Sequence, residues 1–189
     1  TDEWRRRRER EESAQQSMKR RLVTSIILLV PLMYVAMGHM IHLPMPSFLH
    51  GTENALISAF TQFLIALPII FVNRKFYQSG FKALFKRVPN MDSLVALGSS
   101  ASVLYGIFVM YRMMHGFATD NMELVMSYSH SLYFESGAMI LTLVTVGKYL
   151  ESRSKAKTSS TLEKLVALAP KTATVIRAGK ETTVPTDQI

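Results

Sequence analysis

Cysteine is absent from the 189 residues, which excludes a disulfide framework and any thiolate metal centre built from this chain alone. There is also no glycine-rich phosphate loop, no pair of histidines on one face of a polar helix, and no nucleophile beside a recognisable base. These residues by themselves therefore hold no hydrolytic constellation. Lysine and arginine are missing from His42–Asn54, and Arg112 is the only one in Arg112–Ser131. The even mixing of apolar and polar residues that a soluble domain needs is missing as well.

The apolar residues gather instead in four blocks, Leu22–Ile41, Ala55–Val72, Leu94–Tyr111 and Leu132–Leu150. Each is close to the roughly 20 residues that a helix needs to cross a hydrocarbon core about 30 Å thick. The fold class expected is a mainly α membrane protein with four transmembrane helices in two hairpins. The first block is long, contains Pro31 and lacks a small-residue cleavage site, so it is expected to stay in the mature chain. Thr1 is not an initiator methionine and Ile189 follows directly on a strand-like stretch, so the chain is expected to be a piece of a longer protein.

Charge sets the expected orientation, because connections rich in Lys and Arg stay in the cytoplasm. Arg5–Arg8, Arg10, Lys19, Arg20 and Arg21 precede the first block, and Arg74, Lys75, Lys82, Lys86 and Arg87 join the second to the third. Arg153, Lys155, Lys157 and Lys164 follow the fourth. Basic and basic-poor connections alternate, which implies an integral membrane protein with both ends cytoplasmic. The net charge of +8 lies beside apolar spans, where anionic headgroups meet it. A lipid bilayer is thus the expected partner, and nucleic acid is not.

Four segments follow. Residues 1–17 are a charged cytoplasmic lead-in, 18–88 hold two spans and an amphipathic stretch, 89–155 hold two more spans, and 156–189 open a cytoplasmic domain. In Asn73–Val88 the aromatic and aliphatic residues Phe76, Tyr77, Phe81, Leu84 and Phe85 mix with Lys82, Lys86 and Arg87, the pattern of a helix lying in the membrane interface. Gly80 is expected to bend it, and Pro89-Asn90 to end it. Gly98, Ser102 and Gly106, four apart, form one face for close helix approach. Lys155–Leu168 reads as an amphipathic helix with Leu162, Leu165, Val166 and Leu168 on one side, ended by Pro170. Thr172–Arg177 and Glu181–Pro185 read as strands about Ala178-Gly179-Lys180, with Val175 and Val184 inward.

Glu135 and Glu151 stand near the two ends of the fourth block, about 24 Å apart along a helix, with Lys148 close to Glu151. An ionisable group at such depth faces a bundle interior or a water path, or sits at the interface and simply meets water. Nine of the twelve methionines, Met33, Met37, Met40, Met45, Met110, Met113, Met114, Met122 and Met126, lie near the two outer connections with all five histidines. Thioether and imidazole suit soft or borderline metals such as Cu(I), although methionine is equally an apolar filler and outer histidines are commonly just solvated. Met91 opens the third helix beside Asp92 and, by itself, reads as a helix start.

Asn90-Met91-Asp92-Ser93-Leu94-Val95-Ala96-Leu97-Gly98, then Tyr133-Phe134-Glu135, then Val146-Gly147-Lys148-Tyr149-Leu150-Glu151 together resemble the copper-transporting heavy-metal P-type ATPases, and the likeness runs from about Met18 to Ile189. The resemblance implies two class-specific helices with an amphipathic platform, the first two core helices, and the beginning of a β-rich actuator domain. It implies Met91 and Glu151 as metal residues at the cytoplasmic mouth and Glu135 on the release route. It implies further that the platform (Gly80, Lys82, Lys86, Arg87) receives Cu(I) from an acidic copper chaperone or the protein's own metal-binding domain. In that family the platform carries two adjacent glycines, whereas Ser79-Gly80 leaves one.

The family's Cys-Pro-Cys, Thr-Gly-Glu, Asp-Lys-Thr-Gly and N-terminal Cys-x-x-Cys motifs are absent from these residues. The function expected is therefore the membrane portion of an ATP-driven Cu(I) exporter of the cell (plasma) membrane, with ATP and Mg²⁺ used by the remaining ATPase domains. Two rivals are a Zn(II)- or Ag(I)-transporting ATPase and a non-catalytic membrane adaptor subunit.

Overall fold

The computed structural model describes the backbone of residues 2–167, 172–177 and 180–185, and the side chains of residues 6, 9–158, 174 and 175. It divides into two compact units, Thr1–Tyr149 and Leu150–Ile189. The elements are α1 (Asp2–Met37), α2 (Ala55–Val72), α3 (Arg74–Phe85), α4 (Met91–Ala118), α5 (Met122–Ser129), α6 (Phe134–Ala167), β1 (Thr172–Arg177) and β2 (Lys180–Pro185).

The first unit packs an apolar core, Leu32, Ile69, Met113, Phe134 and Leu141 among it, yet it also buries polar side chains and leaves large apolar ones exposed. Val23, Ile27 and Val30 on α1, Ile57, Phe60 and Phe71 on α2, and Leu94, Leu104 and Tyr111 on α4 are exposed, whereas Ser25, Gln62, Asn73, Ser99, Thr142 and Thr145 are buried. Water would favour the reverse arrangement; hydrocarbon favours this one, because each buried hydroxyl or amide needs a partner and each lipid-facing position needs none. Three helical stretches, Glu9–Met37, Thr52–Val72 and Met91–Ala118, are long and apolar enough to cross a membrane. The helix expected as a fourth span, α6, stands outside that group, since its residues Phe134–Glu151 include Glu135, Lys148 and Glu151.

Three helices, α1, α4 and α6, run beyond their apolar blocks. Glu and Arg are good helix formers, so α1 begins in the charged lead-in at Asp2 and runs straight into the apolar stretch. It stops at Met37, short of the expected Ile41, where Gly38 turns the chain and the Leu43 amide donates to the Gly38 carbonyl at 3.0 Å. Pro31 and Pro68 lie inside α1 and α2 without ending them. The third block extends past Tyr111 to Ala118, with the Arg112 guanidinium 5.6 Å from the centre of the Tyr128 ring. The short helix α5 within the second basic-poor connection is an addition to the expected layout; the Asn121 side chain caps it, accepting from the Leu124 amide at 3.0 Å.

The expected small-residue face does receive α6. A Cβ built on Gly106 would lie 2.6 Å from the Phe134 ring, and one on Gly137 would lie 3.2 Å from the Ser102 Cβ. Phe134 is fully buried there, against Phe63 of α2 at 5.5 Å between ring centroids.

One expectation is corrected. Gly80 does not bend the amphipathic stretch: the helix breaks earlier, at Asn73, and α3 continues unbroken through Gly80. The physical reason is packing, because Gly80 lies where α3 meets the first turn of α4 and a Cβ there would be 2.3 Å from the Asp92 carbonyl oxygen. α3 ends at Phe85 with Lys86 as its cap, Arg87 left-handed at φ 58° and the Val88 amide donating to the Ala83 carbonyl at 3.0 Å.

In the second unit α6 continues to Ala167, and β1 pairs antiparallel with β2, Thr172 opposite Pro185 and Val175 opposite Thr182. The strands match the expected pair, with β2 starting one residue sooner. The sidedness expected of Leu162, Leu165, Val166 and Val184, and the placements of Leu168, Pro170, Ala178 and Gly179, lie outside the described residues.

Candidate functional site

The first turn of α4 is built by a reciprocal cap. The Asn90 side chain accepts from the Ser93 amide at 3.0 Å, and the Asn90 amide donates to the Ser93 hydroxyl oxygen at 3.2 Å. The Ser93 hydroxyl also donates across to the Gly80 carbonyl at 2.8 Å, so the cap that starts α4 also fastens it to α3. Met91, in that first turn, is 54% exposed, which leaves its thioether open to an arriving ligand. Asp92 is ion-paired with Lys148 of α6, and the same ammonium lies 4.8 Å from the centre of the buried Phe76 ring of α3. Three helices thus meet around one carboxylate and one ammonium beside Met91. Nearby on α3, burial pushes the Tyr77 phenol above its usual value, an effect partly offset by the Ser99 hydroxyl.

The pair around Asp92 yields a prediction. With 14% of the Asp92 side chain and 31% of the Lys148 side chain exposed, Lys148→Met leaves a mostly buried carboxylate without its cation and is expected to cost about 1–3 kcal/mol. Thermal unfolding in detergent measures this. Adding Asp92→Asn is expected to recover part of the loss, and strictly additive effects would show that the pair contributes nothing.

Glu135 sits in the first turn of α6, half-buried, accepting from the Ser136 hydroxyl at 3.2 Å, while its Oε2 is buried with no partner. Glu151 is exposed and accepts from Lys155 at 2.5 Å. Proximity along the chain suggests Lys148 beside Glu151; the structure instead pairs Lys148 with Asp92. Lys82, Lys86 and Arg87 are all exposed, as the platform reading needs.

Sequence reasoning overlooks one buried cluster. The Asn73 side-chain amide donates to the Ser25 hydroxyl oxygen at 2.8 Å and to the Ile69 carbonyl at 2.9 Å, and its oxygen accepts from the Thr145 hydroxyl at 2.9 Å. This ties α1, the α2–α3 junction and α6 together at the level where α2 ends. The available signal is a polar residue inside each apolar block, Ser25 in the first and Thr145 in the fourth.

No protein-family model matches the chain. It is 39% identical over 170 residues to the "Probable copper-importing P-type ATPase A" of Enterococcus hirae, covering 88% of this chain and 21% of that protein. It is 32% identical over 168 residues to a "Copper-exporting P-type ATPase" of Staphylococcus aureus, covering 88% of this chain and 19% of that protein. The chain spans about one fifth of the length of these curated relatives. With that identity running through most of its residues, and with apolar helices built to face lipid, the chain belongs to the copper P-type ATPase family, as a segment of such a protein.

Proposed function

We propose that this chain is the membrane portion of an ATP-driven Cu(I) exporter, taking Cu(I) at a cytoplasmic mouth and passing it across the membrane. The observation that carries the reading is the identity with two copper P-type ATPases over 88% of the chain. The apolar part of α6 serves as the fourth span, with Lys148 paired to Asp92 of α4, and the alternating basic connections set both ends in the cytoplasm of a cell-membrane protein. The β1–β2 hairpin opens the actuator domain, and ATP, Mg²⁺ and the phosphorylated aspartate belong to the remaining domains.

Met91 and Glu151 are each assigned a role in Cu(I) uptake, and Glu135 one in release. A thioether is a soft donor that suits Cu(I), whereas a carboxylate is a hard one. Either donor alone holds the ion weakly, and weak holding suits a relay. α3, with Lys82, Lys86 and Arg87 exposed, is the surface on which an acidic copper chaperone, or the protein's own metal-binding domain, delivers the ion. Export is the direction proposed; the two relatives carry opposite directions in their names.

The test is Met91→Ala and, separately, Glu151→Ala in the complete ATPase, with Cu(I)-stimulated ATP hydrolysis measured in proteoliposomes. Each is expected to raise the Cu(I) concentration for half-activation about tenfold, the equivalent of roughly 1.4 kcal/mol. Activation curves that superpose on the parent's would remove that residue from uptake, and metal accumulating on the same side as ATP would reverse the direction.

A further inference from the structure

Between the end of α1, the start of α2 and the end of α5 lies a cavity of about 190 Å³ whose lining includes His39, His50, His130, Met45 and Gln62. The histidines are exposed at its rim, Met45 is half-buried, and Gln62 is 4% exposed with an Oε1 that has no hydrogen-bond partner. A buried amide oxygen left unpaired costs free energy unless something occupies the space before it.

The histidine pair is spaced for a shared ion. The His39 and His130 ring centroids are 5.4 Å apart, with the planes at 38°. A metal–nitrogen bond of about 2 Å allows two imidazoles on one ion to have centres up to roughly 6 Å apart, so the observed separation needs no backbone movement. The Met45 sulfur adjoins the residue before His39, since a Cβ on Gly38 would lie 3.3 Å from it.

The connections that carry these donors are held in place. The Tyr34 hydroxyl donates to the Pro44 carbonyl, next to Met45. The Asn54 side-chain amide donates to the carbonyls of Ser47 at 3.1 Å and His50 at 3.0 Å. These bonds fix the backbone on either side of Met45, so that connection loses little freedom when its thioether binds.

Among the described residues no three or more of His, Cys, Asp and Glu gather as a metal site. That narrows the ion: a hard dication needs carboxylates or carbonyls in number, and Zn(II) needs three or four strong ligands. Two imidazoles with a thioether and no carboxylate suit a soft ion content with few ligands. His42–Asn54 holds no Lys or Arg to repel it.

We propose that this cavity is a second metal site, in which His39, His130 and Met45 bind a soft monovalent cation and the Gln62 amide oxygen faces it from below. The donor set stands on the geometry alone; naming the ion as Cu(I) in transit rests on the function proposed above.

The test is anaerobic titration of the complete ATPase in lipid nanodiscs with Cu(I), in competition with a chromophoric Cu(I) chelator. Both histidines are exposed, so His39→Gln with His130→Gln is expected to leave the thermal midpoint unchanged while removing one Cu(I) equivalent. Met45→Leu is expected to weaken that equivalent about tenfold, Ag(I) to fill it and excess Zn(II) to leave it in place. Full stoichiometry in the double histidine variant, or displacement by Zn(II), overturns the site. Loss of the equivalent together with normal activation in Met91→Ala and Glu151→Ala would keep this site and discard the uptake roles.

Discussion

Gly80→Ala is expected to destabilise the first unit by about 1–3 kcal/mol, net of the roughly 1 kcal/mol that alanine contributes as the better helix former. The sign of the effect separates two meanings of one glycine. If Gly80 served to bend the helix, alanine would straighten and stabilise α3. In the structure a Cβ at Gly80 would lie 2.3 Å from the Asp92 carbonyl oxygen, 2.6 Å from its carbonyl carbon and 2.9 Å from the Ala96 Cβ. Two of these three atoms are backbone, which no rotamer change can move aside, so α3 has to lift away from α4. Overpacking of this kind costs about 1–3 kcal/mol, and the lost Ser93–Gly80 hydrogen bond adds about 1 kcal/mol.

Denaturation in mixed micelles gives the size of the effect. Ser93→Ala, which keeps the close approach and loses both the cross-helix bond and the cap bond from the Asn90 amide, is expected to cost about 1–2 kcal/mol alone and about 1 kcal/mol less in the Gly80→Ala background, where the cross-helix bond is already gone. An unchanged or raised midpoint for Gly80→Ala would refute the close-packing account. Because the contact falls on the first turn of α4, the same variant is expected to displace Met91 and, on the uptake role proposed for that residue, to shift Cu(I) activation in the complete protein.

The difference between bend and contact shows where sequence reasoning stops. Helices framed by polar residues are plain from the chain: α2 lies between Asn54 and Asn73, and α4 starts behind the Asn90 cap. Helices that run on in polar solvent are not, because an apolar block marks only the lipid-facing part. α1 extends through a Glu- and Arg-rich segment that favours helix without apolar periodicity, and for α6 the amphipathic pattern of Lys155–Leu168 shows a helix but not that it is continuous with the fourth block. Met91 reads as a helix start and takes its expected role from the family resemblance alone, whereas Glu135 and Glu151 stand out as carboxylates at the ends of an apolar block, so their positions are foreseeable. Their surroundings are not: Lys148 pairs with Asp92, 56 residues away, in preference to its neighbour on α6. Gly80 likewise gains its meaning from Asp92, which no local pattern connects to it.

Asn73→Leu is the other large effect, and it tests whether the buried cluster fastens three helices or merely satisfies itself. Asn73, Ser25 and Thr145 are each at most 1% exposed, and the asparagine side chain makes three hydrogen bonds within them and to the Ile69 carbonyl. In lipid a side-chain hydrogen bond between helices averages about 0.6 kcal/mol, less than the roughly 1 kcal/mol typical in water-soluble proteins. Thr145 has a second acceptor, the Leu141 carbonyl at 2.7 Å, and so falls back on its own helix when Asn73 goes. The lower figure therefore governs, and Asn73→Leu is expected to cost about 2 kcal/mol, with Ser25→Ala and Thr145→Val each nearer 0.6 kcal/mol. Ser25→Ala made on top of Asn73→Leu is expected to add nothing, because its partner is already gone. Asn73 also marks the break between α2 and α3, where its carbonyl accepts from the Phe76 amide at 3.0 Å. Leucine is thus expected to loosen the α3 end more than the opposite end, seen as faster amide exchange in Arg74–Phe85 than in Met122–Ser129. Equal exchange in both segments, with an unchanged unfolding midpoint, would reduce the cluster to local satisfaction of three polar groups.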